Sequence, residues 1–167
     1  RGKNTGGMGA YAPAPIVTQD IVRDVEECII RPTLAGMAKE GRPYRGCLYV
    51  GLMITADGPK VVEYNCRFGD PETQVLLPLY QGDIVELFEA ACTNQLVRLR
   101  SRHTETSSAN FAVCVVLASQ GYPDEYPTGI EIHGLDDVHS INNVIAFHAG
   151  TKISGARCVT AGGRVVG

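Results

Sequence analysis

Three polar side chains stand at alternate positions near the middle of the chain, namely Glu63, Asn65 and Arg67. They follow the β-prone run Lys60-Val61-Val62. Side chains two residues apart on a strand share one face, so we expect these three to project together from the end of a rigid element. Carboxylate and carboxamide oxygens suit Mg²⁺, which keeps water and substrate phosphates as its other ligands. An arginine beside them can hold a carboxylate or phosphoryl group through paired hydrogen bonds. The pattern indicates metal-assisted phosphoryl chemistry.

The next residues strengthen this interpretation. Phe68-Gly69-Asp70-Pro71-Glu72 adds two carboxylates in a segment that glycine and proline predispose to turn. Five polar groups around the exit of one strand favour a functional site. The alternative is an exposed strand face that carries a salt bridge, and the spacing alone leaves both interpretations open.

Two further candidates have simpler explanations beside the functional one. The loop Gly6-Gly7-Met8-Gly9 could present backbone N–H groups to an anion, or it could only form a tight turn. Arg164 follows Gly162-Gly163 and could reach an anionic ligand, or it could be a surface arginine. For His148, near a strand end, we favour a hydrogen-bonded structural role.

The elements that must position these residues follow from periodicity and turn signals. A helix should begin after the N-cap Thr18, and Pro32 should kink it or divide it in two. Asp57-Gly58 predicts a hairpin whose second strand carries Glu63 and Asn65. The predicted elements of the first half are a helix over 18–39, strands over 46–54 and 59–65, and a helix over 83–96.

The second half is expected to be mostly strand and turn. Residues 98–108 are polar and form the best linker candidate, and a final strand over 157–166 should break at Gly162-Gly163. We therefore predict an α+β chain with one domain over residues 1–97, a linker over 98–108 and a β-rich domain over 109–167. Both ends look cut, so we expect the chain to be a piece of a longer polypeptide.

Composition excludes several function classes. The 167 residues carry a net charge of -3, so no basic excess indicates a nucleic-acid partner, and no apolar run has membrane-spanning length. The six cysteines lack the C-x-x-C spacing of zinc sites. Most have apolar neighbours, which predicts buried, reduced thiols and a cytoplasmic location.

Two strings of the sequence resemble a known family. Asn4-Thr5-Gly6-Gly7-Met8-Gly9-Ala10-Tyr11 and the run from Pro59 to Glu72 are similar to the glycinamide ribonucleotide synthetases, ATP-grasp ligases of purine biosynthesis. Gly121-Tyr122-Pro123, residues 147–151 and residues 162–165 are similar to the C-terminal domain of that family. The resemblance covers nearly the whole chain, in the family's order.

The resemblance implies an activity and roles for individual residues. The family joins glycine to 5-phosphoribosylamine while ATP becomes ADP and phosphate, through a glycyl acyl phosphate. Carried over to this sequence, Glu63 and Asn65 would bind Mg²⁺ or Mn²⁺, and Arg67 would stabilise developing charge. Asp70 would orient a substrate amine. The residues that would contact substrate are Thr5, Gly6, Gly7, Gly9 and Arg164.

The resemblance also implies what the chain lacks. Many ATP-grasp enzymes place another metal-binding acid on the preceding strand, but residues 49–53 contain none. The family's N-terminal domain and first ATP-grasp subdomain, which supply most of the adenine pocket, are not in these 167 residues. We therefore expect the chain alone to be inactive. Two alternatives stay open: a non-catalytic scaffold segment fused to other purine-pathway domains, and another ATP-grasp carboxylate–amine ligase.

Overall fold

A computed structural model describes residues 2–100 and 110–167. They cluster into two compact units. The hairpin unit contains the described residues of Ala12–Gly69 and Pro78–Phe111, and the C-terminal unit contains those of Arg1–Tyr11, Asp70–Leu77 and Ala112–Gly167. Helices and small antiparallel sheets together confirm the predicted α+β fold class. The predicted linker falls largely on residues 101–109, which lie outside the described residues, so the division into consecutive domains stays a prediction.

The hairpin unit begins with a divided helical segment. Thr18 caps helix α1 (Gln19–Val25), and its side-chain oxygen accepts a 3.3 Å hydrogen bond from the Ile21 N–H. A π-helical turn over Glu26–Ile30 separates α1 from helix α2 (Arg31–Lys39). Pro32 lies in the first turn of α2, where its missing N–H costs no helical bond. The predicted interruption at Pro32 is thus confirmed.

Two strands of the hairpin unit carry the central motif. Strands β2 (Tyr49–Thr55) and β3 (Gly58–Asn65) pair in an antiparallel hairpin, with Thr55 opposite Gly58. Gly58 has a φ of +90°, which favours glycine at this turn. Gly51 lies opposite Glu63 but Leu52 lies opposite Val61, so the register shifts beside Glu63. Such a bulge turns the following side chains relative to a regular strand.

Two later helices complete this unit. Asp83 caps α4 (Ile84–Thr93) by accepting hydrogen bonds from the Val85 and Glu86 N–H groups at 2.8 and 3.2 Å. The apolar pattern of this helix predicts that Ile84, Val85, Leu87, Phe88 and Ala91 face inward, but Val85 and Phe88 are exposed and Ala90 is the buried residue of the helix. A narrow stripe at helical spacing does the packing here. The short helix α5 follows at Leu96–Arg100.

Helix α3 (Glu72–Leu79) was not predicted, because Asp70-Pro71 indicates a turn and Pro78 disfavours a helix interior. Pro71 and Val75 are nevertheless the most deeply buried side chains among the described residues. Burial of this apolar side outweighs the weak local propensity.

The C-terminal unit is built from short paired strands. The strands are β1 (Gly9–Ala12), β4 (Ala112–Val115), β5 (Leu117–Ala118), β6 (Thr151–Ser154), β7 (Arg157–Thr160) and β8 (Arg164–Val166), with a short helix α6 at Leu135–Val138. Antiparallel pairs join β5 to β8 and β6 to β7, and β1 pairs with β4. The predicted break at Gly162-Gly163 is confirmed, because it falls between β7 and β8.

The core of this unit is formed by buried residues of β4, β7, β8 and α3. It contains Val75, Cys114, Val159, Val165 and Val166. Within residues 2–100 and 110–167, no helix is long and apolar enough to cross a membrane.

Candidate functional site

Glu63 and Asn65 share one face of β3, as the spacing predicts. The Asn65 side-chain amide donates a 2.9 Å hydrogen bond to Oε1 of Glu63. Glu63 is exposed and Asn65 half-buried. The contact holds a carboxylate and a carboxamide side by side, so the hairpin presents a pair of oxygen-bearing groups at the end of a strand.

Gly51 on the paired strand β2 leaves space for the Glu63 side chain. Gly51 lies opposite Glu63, and a Cβ atom built on Gly51 would stand 3.1 Å from Cγ of Glu63. A side chain on Gly51 would therefore push the carboxylate aside. Strand β2, which carries no metal-binding acid, thus still contributes to the site by leaving space for Glu63.

Arg67 does not continue this strand face. β3 ends at Asn65, and the chain bends at Cys66 and Arg67. The Arg67 side chain donates a 2.8 Å hydrogen bond to the Phe68 carbonyl. The prediction of a three-residue strand face is wrong for Arg67, because the alternation of side chains holds only while the backbone stays extended.

Arg164 and Asp70 meet in the C-terminal unit. Nη2 of Arg164 donates to Oδ2 of Asp70 at 2.6 Å, and Nη1 donates to the carbonyl oxygens of Gly7 at 2.9 Å and of Asp70 at 3.2 Å. The Arg164 side chain is 24% exposed. One guanidinium therefore connects β8 to the glycine loop and to the Asp70-Pro71 segment.

The glycine loop packs tightly at this point. A Cβ on Gly6 would lie 2.8 Å from Cζ of Arg164, and one on Gly7 would lie 2.4 Å from Cδ of Pro71. The Gly6 N–H donates a 3.2 Å hydrogen bond to the Tyr122 hydroxyl. These glycines are required for close approach, which is a more specific role than the tight turn considered above.

Glycines also bring Arg164 into place. A Cβ on Gly163 would lie 2.3 Å from the Tyr122 ring, and one on Gly150 would lie 2.4 Å from the Arg164 carbonyl oxygen. Neighbouring groups therefore fill the space beside Gly150 and Gly163. This packing sets the start of β8, from which the Arg164 side chain extends.

Asp70 has a second partner that the sequence did not indicate. Nε2 of Gln74 donates to Oδ1 of Asp70 at 3.1 Å. Nearby, burial raises the pKa of the Cys114 thiol, and the negative charge of Asp70 adds to the shift. The spacing of four residues between Asp70 and Gln74 matches a helix, so prediction of α3 would have revealed the pair.

The cysteines behave differently from the prediction. All six are free thiols, as expected, but Cys28, Cys66 and Cys92 are exposed and only Cys114 is fully buried. Apolar sequence neighbours did not ensure burial, because these three lie on helix faces or at a strand end that the fold leaves open.

The candidate residues thus form two groups, each within one compact unit. The hairpin unit holds Glu63, Asn65 and Arg67, and the C-terminal unit joins Gly6, Gly7, Asp70 and Arg164 by direct contact. Thr5 is exposed, and Gly9 begins β1. Sequence reasoning assigned no role to Tyr122 or to Gln74.

His148 has the structural role that we favoured. Its Nδ1 lies 3.0 Å from Oγ1 of Thr151, and its backbone bridges to Val166. Among the described residues, no group of three or more His, Cys, Asp or Glu side chains could hold a metal ion.

Two family models match separate parts of the chain. Residues 1–73 match the ATP-grasp (A) domain of phosphoribosylglycinamide synthetase, and residues 112–167 match its C domain. The C-terminal unit therefore combines residues of both matched segments, since it contains the described residues of Arg1–Tyr11 and Asp70–Leu77 as well as Ala112–Gly167.

Named relatives agree with these matches. The chain is 52% identical over 165 residues to phosphoribosylamine–glycine ligase of Chlorobaculum tepidum and 50% identical over 167 residues to that of Escherichia coli O157:H7. Each alignment covers 99% of this chain and 38% of the ligase. The chain is also 50% identical over 165 residues to the trifunctional purine biosynthetic protein adenosine-3 of Gallus gallus, of which it covers 16%.

A solved structure agrees as well. The crystal structure of phosphoribosylamine–glycine ligase from Thermotoga maritima matches with a TM-score of 0.80 and 38% sequence identity, over 99% of this chain and 39% of that one. The chain belongs to the phosphoribosylglycinamide synthetase family, and it carries sequence of both the ATP-grasp domain and the C domain.

Proposed function

We propose that this chain contributes to the ATP-dependent joining of glycine to 5-phosphoribosylamine, which gives glycinamide ribonucleotide, ADP and phosphate. The observation that carries the proposal is the paired Glu63 and Asn65 side chains in a chain about half identical to named phosphoribosylamine–glycine ligases. The chain spans 38% of those ligases, so the complete reaction is a proposal for a polypeptide that also supplies the rest.

The proposed reaction has two balanced steps. An oxygen of the glycine carboxylate attacks the γ-phosphorus of ATP, the bond to the β-phosphate oxygen breaks, and ADP leaves. The amine of phosphoribosylamine then attacks the carbonyl carbon of the glycyl phosphate. The carbon–oxygen bond to phosphate breaks and the nitrogen loses a proton, which leaves an amide. Positioning and charge stabilisation provide most of the catalysis in such phosphoryl chemistry.

The donor set at Glu63 and Asn65 fits a hard divalent cation. Both side chains bear oxygen ligands, and Mg²⁺ commonly binds to one or two protein groups together with substrate phosphates and water. We assign Glu63 and Asn65 as the residues that would hold Mg²⁺ or Mn²⁺. When bound, the cation neutralises phosphate charge during transfer. The 2.9 Å hydrogen bond between the two side chains keeps them oriented for this role.

The remaining residues receive roles from their chemistry. Arg67 would stabilise charge on the transferring phosphoryl group, since it is exposed and its guanidinium, which donates to the Phe68 carbonyl, carries further N–H donors. Asp70 would orient the amine of a substrate. The loop that contains Thr5, Gly6, Gly7 and Gly9 would contact substrate near the phosphates, and Arg164, which is bonded to that loop, would act beside it.

The two alternatives predict different behaviour. A scaffold segment would tolerate loss of Glu63, whereas a ligase would not. Relatives that are trifunctional or bifunctional purine biosynthetic proteins support fusion to other purine-pathway domains as a possible context. A different carboxylate–amine ligase would use another amino acid in place of glycine. A cytoplasmic location stays a prediction.

A chimaeric ligase tests the proposal. The present chain would replace the segment that it matches in the Escherichia coli ligase, and ADP release would be followed with and without each substrate. We expect release that requires both glycine and phosphoribosylamine. A folded chimaera that releases no ADP, or that accepts a different amino acid in preference to glycine, would contradict the proposal.

A further inference from the structure

One guanidinium holds two segments of the C-terminal unit. Arg164 donates to the Asp70 carboxylate at 2.6 Å and to the carbonyl oxygens of Asp70 and Gly7 at 3.2 and 2.9 Å. The Arg164 side chain is 24% exposed. The planar fork of an arginine can serve several acceptors at once, which a lysine ammonium on its single flexible stem does less well.

The glycine loop is fitted to this guanidinium. Gly6 leaves no room for a Cβ, which would lie 2.8 Å from Cζ and 2.9 Å from Nε of Arg164. The Gly6 N–H also donates a 3.2 Å hydrogen bond to the Tyr122 hydroxyl, which holds the loop from a second residue. Tyr122 and Arg164 both belong to the segment matched to the C domain, whereas Gly6 belongs to the segment matched to the ATP-grasp domain.

Asp70 is held from a second direction. Gln74 donates its Nε2 to Oδ1 of Asp70, while its own Oε1 is buried and accepts no hydrogen bond among the described residues. A buried acceptor without a donor lowers the stability of the folded state. The Gln74 side-chain orientation that leaves Oε1 unpaired is also the one in which Nε2 holds the Asp70 carboxylate. Asp70 itself remains 48% exposed, so its remaining lone pairs can meet a ligand.

We propose that Arg164 is a positioning residue: with Tyr122 it lets the C-domain segment fix the glycine loop and Asp70 of the ATP-grasp segment in one arrangement. It acts through those groups and does not need to touch substrate. This inference rests on the proposed ligase function for its effect on turnover, but the restraint on the loop is a property of the chain itself.

Hydrogen exchange on the 167-residue chain tests the restraint. We expect Arg164→Gln to speed exchange of the amides in residues 5–9 by about tenfold relative to the amides of β6 and β7. Arg157→Gln is the matched control, because Arg157 pairs at 3.2 Å with Glu131 on the exposed surface of the same unit. Arg157→Gln should leave amide exchange in residues 5–9 unchanged. Equal exchange in both variants would overturn the proposal.

A steric variant covers the case in which Arg164→Gln unfolds the chain. Gly6→Ala should displace the guanidinium and speed loop exchange in the same way, whereas Gly2→Ala meets no atom within 4 Å and should have no effect. If Gly6→Ala left the protection of the loop intact, the positioning role would be wrong.

The chimaeric ligase supplies the kinetic test. We expect Arg164→Gln to lower kcat by about tenfold or more while the KM for ATP stays within about twofold, and Arg164→Lys to recover only part of the loss. Normal turnover in Arg164→Gln would contradict the proposal. An inactive unaltered chimaera would instead count against the proposed function, and the exchange measurement would still decide whether Arg164 restrains the loop.

Discussion

The side-chain amide of Asn65 donates a 2.9 Å hydrogen bond to the carboxylate of Glu63 on the same face of β3. The two residues are separated by one position, so their proximity is a direct result of strand geometry. The bond orients both groups before any ligand arrives, so less conformational entropy is lost when a ligand binds.

Removing the charge of Glu63 should weaken metal-dependent catalysis. In the chimaeric ligase, Glu63→Gln keeps the volume of the side chain but removes a negative oxygen ligand. We expect kcat/KM to fall about a hundredfold, because a bound metal contributes several kcal/mol to stabilising charge in such reactions. The Mg²⁺ concentration for half-maximal rate should rise. Glu89→Gln, an exposed acid on α4, is the control and should behave like the unaltered protein. Normal turnover of Glu63→Gln at low Mg²⁺ would disprove the ligand assignment.

Arg67 should not be replaceable by lysine. Arg67→Lys retains the positive charge but loses the two-pronged geometry, so we expect kcat of the chimaera to fall by about tenfold to a hundredfold. Arg45→Lys is a matched control in the same unit, since Arg45 is exposed and also donates to a backbone carbonyl, that of Cys92 at 3.3 Å. If both variants retain full activity, Arg67 has no role in charge stabilisation.

A methyl group at Gly51 should disturb Glu63 from the opposite strand. The new Cβ would lie 3.1 Å from Cγ of Glu63, so the carboxylate must shift by a few tenths of an ångström. We expect a loss of Mg²⁺ affinity of about tenfold, as seen when the groups that orient metal ligands are altered. A magnesium titration of chimaera activity measures it, and unchanged affinity would show that Glu63 needs no such clearance.

Gly36→Ala is the contrasting glycine substitution. Gly36 lies inside α2 with no atom within 4 Å of an added Cβ. Alanine favours helix over glycine by about 1 kcal/mol, so thermal unfolding of the 167-residue chain should shift upward with no effect on magnesium dependence of the chimaera. A lower Tm would mean that the helix does not persist in solution.

The Cys114 thiol should resist alkylation in the folded chain. Burial, reinforced by the charge of Asp70, raises its pKa, so little thiolate is present near neutral pH. Exposed Cys28, Cys66 and Cys92 should react first with iodoacetamide, as measured by mass spectrometry of the labelled peptides. Labelling of Cys114 as fast as Cys28 would contradict the burial.

The same shift predicts an effect of alkaline pH. The folded pKa of Cys114 lies above the unfolded one, so the unfolded state releases its proton first as pH rises above about 8.5. Stability from this group is complete below that pH and decreases as pH rises toward the folded pKa. Cys114→Ala should reduce this alkaline loss in urea unfolding measurements, and an identical pH dependence in both proteins would rule the contribution out.

Much of the local structure followed from the sequence. Capping by Thr18, the turn before Gly58 and the interruption at Pro32 each depend on the chemistry of a few adjacent residues, and each was predicted. Helix α3 was missed because the burial of Pro71 and Val75, a tertiary effect, outweighs the local signals for a turn.

By itself the sequence determined which side chains could bind a metal and a phosphoryl group, because the pairing of Glu63 with Asn65 needs only the two-residue repeat of a strand. Only the tertiary structure decided that Arg164 meets Asp70 and Gly7, which lie 94 and 157 residues away in the chain. No local pattern encodes such a contact. It arises because Gly6, Gly7 and Gly163 leave room for close packing, and the C-terminal unit brings their backbones together.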